Sequence, residues 1–440
     1  MGGRDLFGAG ADEFGAVKPE QDGDPRLMEA ERRQVQLIPR CLDDVLPEDH
    51  RARAIWDVVG TLDLARFYSA IAARGSQPGR PATDPKILVA LWLFATSEGI
   101  GHARELARLC ERDDAYRWIC GGVSVNHHGL SDFRVGNAEA LDDLMTQVLA
   151  VLYKANIVRL KRVAQDGTRL RASAGAASFR RAKTLDECLA SARAHVERVK
   201  REAESLNPQR TAKQQAAAER AAREHHQRVA QALKELPKAQ AVKRNRGKEK
   251  VCEARVSTTD PEARVMKMGD GGFRPAYNVQ FAADVDGRAI VGVSVTTNGT
   301  DKGQTAPMLE QIERRTGQLP EVYLADGGYA KVGDIEAMHE KGITSYVPVP
   351  KPRNKDIDPH EPKANDGPGT AAWRERMATD ESKQEYRARA ATIETVNADL
   401  KTWRGLGPLV VRGSTKVLSV ALWAAVTYNV LRLLAGANAA

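Results

Sequence analysis

Residues 158–168 read Val158-Arg159-Leu160-Lys161-Arg162-Val163-Ala164-Gln165-Asp166-Gly167-Thr168. Apolar and polar side chains alternate with period two, so a strand would carry Ala164, Asp166 and Thr168 on one face. An acid inside such a strand needs solvent or a partner, because burying an unpaired carboxylate is costly. The run also marks a change of texture: the chain before it is helical, and the chain after it mixes helix and strand.

Upstream, residues 34–153 repeat apolar side chains at spacings of three and four, as in Ile55, Val58, Val59 and Leu62, then Ile87, Leu88, Leu91, Trp92 and Ala95. This predicts an all-helical N-terminal domain. Asp84-Pro85 is the expected start of one helix, an N-cap followed by proline at the first helical position, and Gly99 and Gly101 are its expected end. Residues 1–33, rich in Gly, Asp, Glu and Arg without apolar periodicity, are expected to form a disordered arm. Trp92, Trp118 and Trp423 are expected in the core.

Downstream, residues 180–250 hold 19 Lys and Arg against 9 Asp and Glu, more positive charge than the whole chain's excess of +8. Thr184-Leu185-Asp186-Glu187 fits a capping box, and Leu185, Leu189, Ala192, Val196, Val199, Ala203 and Leu206 form a heptad seam. Asn207-Pro208 interrupts it, and a second Ala-rich helix over about 211–236 is expected to fold back as a basic helical hairpin. A solvated charged face is the plainer reading of such a run; contact with DNA is the alternative.

After Val251 the pattern predicts strands near 277–281 and 289–295 joined at Asp286-Gly287, a helix near 307–315, a strand 322–325 ending at Asp326, a helix over 332–340 and a strand near 345–347. Residues 350 to about 380 read as a long surface loop, 381–401 as a helix, and another helix comes after Ser414. The fold class is therefore α+β or α/β, a mixed-sheet core over 154–435 interrupted by the hairpin.

With 440 residues, 42% hydrophobic and 28% charged, the chain suits a multi-domain globular protein rather than a disordered or collagen-like one. Its five cysteines, at 41, 110, 120, 188 and 252, include no C-x-x-C pair and are expected as reduced thiols. No secretory signal pattern opens the sequence, and the most apolar run, Val417 to Leu434, is interrupted by Ser419, Thr427, Asn429 and Arg432. A cytoplasmic protein with no membrane partner is the expectation.

If the first strand and the strand ending at Asp326 are neighbours, Asp166 and Asp326 stand side by side, and Glu394 on the late helix can complete a site of oxygen ligands for Mg²⁺. Singly, each acid has a plainer role as a turn, cap or solvated residue. His127-His128 is a weak candidate metal pair, since adjacent histidines seldom point the same way, and a loop contact is the expectation.

The segments Gln165-Asp166-Gly167-Thr168, Leu324-Ala325-Asp326-Gly327-Gly328-Tyr329 and the run from Tyr386 to Lys401 resemble the three acidic motifs of bacterial insertion-sequence DDE transposases, nearest to the eleven-eighty-two insertion-sequence family. Gly79-Arg80-Pro81-Ala82-Thr83-Asp84-Pro85, Asp113-Asp114-Ala115-Tyr116-Arg117-Trp118 and Ser257 to Arg264 add to the likeness, which spans about 35–435. The resemblance implies an RNase H-like core and a catalytic, metal-binding set of Asp166, Asp326 and Glu394. It also implies two Mg²⁺ ions, replaceable by Mn²⁺, and cleavage of transposon ends followed by strand transfer. The implied partners are double-stranded DNA, as terminal inverted repeats and target, and a second copy of the chain, in a nucleoid-associated setting. A DNA-binding protein that no longer cuts, or a nuclease without strand transfer, would share much of this pattern.

One spacing departs from the related superfamily signature, which has three residues between its Arg and Glu where four separate Arg389 from Glu394. On an ideal α-helix Arg389 would sit about 140° from Glu394, whereas Arg387 and Lys401, each seven residues away, would lie within about 20°. Arg387 and Lys401 are thus the first candidates beside DNA phosphates, with Arg389 weaker and Tyr386 in a positioning role.

Overall fold

The structure, a computed structural model, describes residues 39–75, 81–205, 211–245 and 247–437. The expected N-terminal arm, the Gly79-Arg80 pair, Leu206 and the Asn207-Pro208 break lie outside the described residues. Leu42–Ala440 clusters as one compact unit.

Among the described residues seven α-helices come first: α1 (Arg51–Thr61), α2 (Ala65–Ser69), α3 (Pro85–Ser97), α4 (Ala103–Arg112), α5 (Asp114–Cys120), α6 (His127–Gly136) and α7 (Ala138–Lys154). As the sequence indicates, Asp84 caps α3, its carboxylate accepting from Lys86 N at 2.8 Å. Gly99 comes after the helix at φ +77°, a left-handed conformation that favours glycine. Trp92 and Trp423 are fully buried, whereas Trp118 stays partly exposed, donating to Asp43 Oδ1 at 2.8 Å beneath Arg53.

The sheet begins with β1 (Arg162–Arg171). Short β2 (Phe179–Arg180) leads into the hairpin of α8 (Ala182–Ala203) and α9 (Ala212–Arg244), and β3 (Val256–Ser257) pairs back onto β2. Leu185, Ala192 and Val199 of the seam are buried against Ala222, Val229 and Leu236 of α9. The capping box is not at Thr184: α8 starts at Ala182, two residues earlier, and Thr184 lies within it. The box is at the start of α9, where Thr211 and Gln214 exchange bonds. The hairpin is seated on the sheet by Glu235, buried, which pairs with Arg264 at 2.8 Å.

Next come β4 (Arg264–Lys267), β5 (Phe273–Asp284), β6 (Ile290–Thr296), α10 (Thr305–Thr316), β7 (Val322–Ala325), α11 (Val332–Glu340) and β8 (Thr344–Tyr346). β1 runs antiparallel to β5 and parallel to β7, β7 is parallel to β8, and β4 and β6 share the far edge of β5. The spatial order β6-β5-β1-β7-β8, three antiparallel strands then two parallel crossovers, is the RNase H-like plan.

Residues 350–380 are not loop throughout. α12 (Pro368–Ala378) forms there because Trp373 buries itself, donating to Val347 O at 2.8 Å, and Glu336 of α11 accepts from Gly369 N and Thr370 N at the helix start. The late helix runs as α13 (Asp380–Arg389), a π-helical turn over Ala390–Glu394, and α14 (Thr395–Trp403). Last comes α15 (Ser414–Ala437).

α15 is long and apolar enough to cross a membrane by length and composition, yet 72% of that window is buried inside the protein. It packs against α3, α6 and α7 on one side and β6 on the other. Its polar interruptions have partners there: Asn429 bonds both the backbone N and O of Ile290 at 2.8 Å, completing the outer edge of β6. One hydrophobic cluster therefore runs from the first helices through the sheet to this helix. Cys110, Cys120, Cys188 and Cys252 are free thiols.

Candidate active site

The parallel register pairs Gln165 with Ala325, so the next residues along stand side by side, Asp166 midway along β1 and Asp326 just past the end of β7. Asp166 Oδ1 accepts from Gly167 N at 2.9 Å and Oδ2 from Asn397 Nδ2 of α14 at 3.1 Å. Asp326 caps the turn Gly327–Tyr329, accepting from Gly328 N at 2.7 Å.

Gly167 has no room for a side chain. A Cβ there would strike Asp301 Oδ1 and Gln280 Nε2 and come within 2.7 Å of Asn278 Oδ1. Asp301 is a third aspartate of the neighbourhood, 9% exposed, its Oδ1 accepting from Asn278 at 2.6 Å and Gln280 at 2.7 Å. Burial pushes Asp166 up to about 6; Arg389 opposes the rise, and the negative charges of Asp326 and Asp301 add to it. Asp166 thus sits in a field made negative by the carboxylates around it.

Positive charge comes from Arg169 of β1, 3.6 Å from Asp301 Oδ2, and from the late helix. Arg389 places Nη2 2.9 Å from Glu394 Oε1 and Nη1 3.9 Å from Asp166 Oδ2, so one guanidinium spans the two acids. The 140° separation expected of an ideal helix does not occur. The π-helical turn, bonded i→i+5 rather than i→i+4, takes up the extra residue and brings Arg389 onto the face of Glu394. Arg389 also lies 5.6 Å over the ring of Tyr386, whose hydroxyl is raised by burial and further by Asp326 and Asp166, with Arg389 opposing. Burial lowers Lys401 while Asp166 holds it up, which sets its ammonium in the same field. Arg387 is exposed on the outside of α13.

Asp166, Asp326, Tyr386, Arg389 and Lys401 thus gather around one point. Glu394 is on its rim, 57% exposed and turned to Arg389. Among the described residues no three His, Cys, Asp or Glu side chains converge closely enough to hold an ion. The two aspartates suit a hard divalent cation by donor type and by their mutual repulsion; Glu394 would have to leave Arg389 to join them. His127 and His128 open α6 with their rings stacked 4.1 Å apart, not divergent as expected.

Two residues at this site are not signalled by the sequence. Asn397 is inside the quoted Tyr386–Lys401 run but has no expected role, and Asp301 follows Asn298-Gly299-Thr300, which has no motif of its own.

A mixed sheet of this order, with one acid midway along the central strand, another just past the end of its parallel neighbour and a third on a late helix, is the RNase H-like arrangement. Residues 249–430 match the family described as "Transposase DDE domain" and residues 40–135 the family described as "Transposase domain", together more than half of the chain. The chain belongs to the insertion-sequence DDE transposases. The first match includes Asp326 and Glu394; β1 with Asp166 precedes it and is joined through the strand register. No curated protein and no solved structure matches the chain.

Proposed function

We propose that this transposase cleaves the ends of its element and joins them to target DNA, with Asp166, Asp326 and Glu394 as the catalytic acids. The observation that carries the reading is the β1–β7 register, which sets Asp166 beside Asp326. Bound by these carboxylates, two Mg²⁺ ions, or Mn²⁺ in their place, would activate the attacking oxygen and stabilise the leaving one. Asn397 and Gly167 N fix the two oxygens of Asp166, and Gly328 N fixes Asp326, so both acids are oriented before any ligand arrives. Glu394 joins them by changing rotamer, which frees Arg389 for a DNA phosphate.

Tyr386 and Lys401 flank the same point, and Arg387 faces outward, available to a phosphate further along the strand. The reaction balances as two phosphoryl transfers: water attacks the end phosphodiester and releases a 3′-hydroxyl, and that hydroxyl attacks a target phosphodiester, displacing its 3′-oxygen. Two ends must be joined together, so the working form is a dimer on DNA, meeting terminal repeats with the basic hairpin and the first helices. The motifs around Asp84, Asp113 and Asp260 support assignment to the eleven-eighty-two group.

The test is cleavage of a duplex carrying the element's terminal repeat with Mg²⁺ or Mn²⁺. The parent protein is expected to nick it and Asp326→Ala to give no product. Parental cleavage by Asp326→Ala would overturn the assignment, and binding without cleavage by the parent would favour a protein that only holds DNA.

A further inference from the structure

Arg134, on α6, is 6% exposed and has no carboxylate partner among the described residues. Its guanidinium lies 4.7 Å over the ring of Trp92, its Nη1 donates to Gly101 O, and its Nε, also buried, has no partner. Burial alone pulls it down to about 10, with no acid opposing. A buried cation without a counter-ion is costly, and one carbonyl and one indole face use little of a five-donor group.

Arg134 lines a cavity of about 210 Å³ that also takes in Lys401, Gly99, Gly101, Gly405 and Gly407, with no Asp or Glu in its wall. At roughly 30 Å³ per water, about seven waters would fill it, which is room for a phosphate group. The glycines make the wall: Gly405 sits at φ +64°, and a Cβ on it would lie 2.8 Å from Gly99 O, so the two backbone segments cross in contact. Lys401 is the shared member, since its ammonium also feels Asp166.

We propose that this cavity receives a phosphodiester of the bound DNA strand neighbouring the one that is cut, with Arg134 and Lys401 as its cationic ligands. The proposal rests on the reading of Asp166 as part of the cleavage site. Guanidinium donors match phosphate oxygens in pairs, and an ammonium adds a point charge. The contact ties the first helices to the active site through the DNA itself, because Arg134 lies in α6 and Lys401 in α14.

Gly407 gives the test, since a Cβ there meets open space within 4 Å. Gly407→Asp puts a carboxylate at the cavity mouth, and Gly407→Ser is the neutral control. Affinity for a terminal-repeat duplex is measured against salt concentration, together with thermal melting. Gly407→Asp is expected to weaken binding roughly three- to tenfold and to lower the slope of log affinity against log salt by about one. It should melt no lower than the parent, because the new acid compensates Arg134, and the Ser variant should match the parent. Parental affinity and slope in Gly407→Asp would overturn the proposal. Arg134→Met checks it from the other side: a lower melting temperature with an unchanged slope means a packing role alone and overturns it as well. Failure of the parent itself to bind the duplex would instead sink the functional reading beneath it.

Discussion

Asp166→Asn is expected to stabilise the metal-free protein while abolishing cleavage, and the size of the effect can be worked from the site. Asp166 is 21% exposed and is pushed from 3.8 to about 6, chiefly by burial, beyond what Arg389 and the Gly167 amide offset. At 1.36 kcal/mol per tenfold change, that gap means ionised Asp166 costs the native state about 3 kcal/mol at neutral pH. For a carboxylate raised in the folded state, the cost vanishes well below 3.8, where both states hold the proton. It grows through the interval and is complete above about 6. The Asn variant should therefore exceed the parent by about half a kcal/mol at pH 4, by about 1–2 kcal/mol at pH 5 and by about 3 kcal/mol at pH 7.5.

The substitution can be accommodated locally. Gly167 N still has a carbonyl oxygen to donate to, and Asn397 Oδ1, buried and without a partner, can accept from the new amide once Asn397 turns its side chain over. With an unfolding entropy of about 2.1 cal/mol/K per residue over roughly 400 residues, 3 kcal/mol is about 3–4 °C in Tm. The assay is melting and urea unfolding of both proteins from pH 4 to 8 in EDTA, with m-values compared. A stability difference that stays constant across that range, or that favours Asp166 above pH 6, would refute the reasoning.

Two more outcomes rest on the same geometry. Deleting Ala391, exposed within the π-helical turn, should restore a plain α-helix that keeps Arg389 against the glutamate; the variant is expected to retain cleavage and to melt within a few degrees of the parent, and loss of both would show that the turn is required in itself. Gly167→Ala, driving a methyl into Asp301, Gln280 and Asn278, should lower stability in urea by about 1–3 kcal/mol and reduce cleavage, and an unperturbed midpoint would contradict the packing described.

The sequence carried β1 and Asp166 clearly because an alternating strand between helical texture and a charged hairpin has few readings. Asp326 was equally legible as the acid ending a short apolar strand. Their adjacency was not, since strand order depends on the crossovers and not on either strand alone. A helical wheel misplaces Arg389 relative to Glu394 because it presumes 100° per residue, and one π-helical turn re-phases everything beyond it. The extra residue between Arg389 and Glu394 was the available signal. α12 was hidden because its polar, proline-bearing sequence reads as loop, and what forms it is tertiary: Trp373 enters the core and Glu336 arrives from α11 to cap it. β4 escaped notice because Met266 is its one fully covered side chain, as expected of an edge strand.

That Glu394 faces Arg389 rather than the two aspartates bears on how the site is built. Ile393, Val396 and Leu400 are fully buried, and Asn397 bonds Asp166, so the late helix is anchored to β1 on both sides of the acid. Bringing Glu394 inward costs the ion pair with Arg389, whose carboxylate is 57% exposed, an interaction worth about 0–1 kcal/mol. Arg389, by contrast, is 11% exposed and cannot leave without exchanging one anion for another. A phosphate arriving at Arg389 and a cation arriving at Asp166 and Asp326 would release Glu394 and attract it in the same direction. DNA and metal are thereby expected to bind cooperatively, the phosphate releasing Glu394 from Arg389 and the cation drawing it toward the two aspartates.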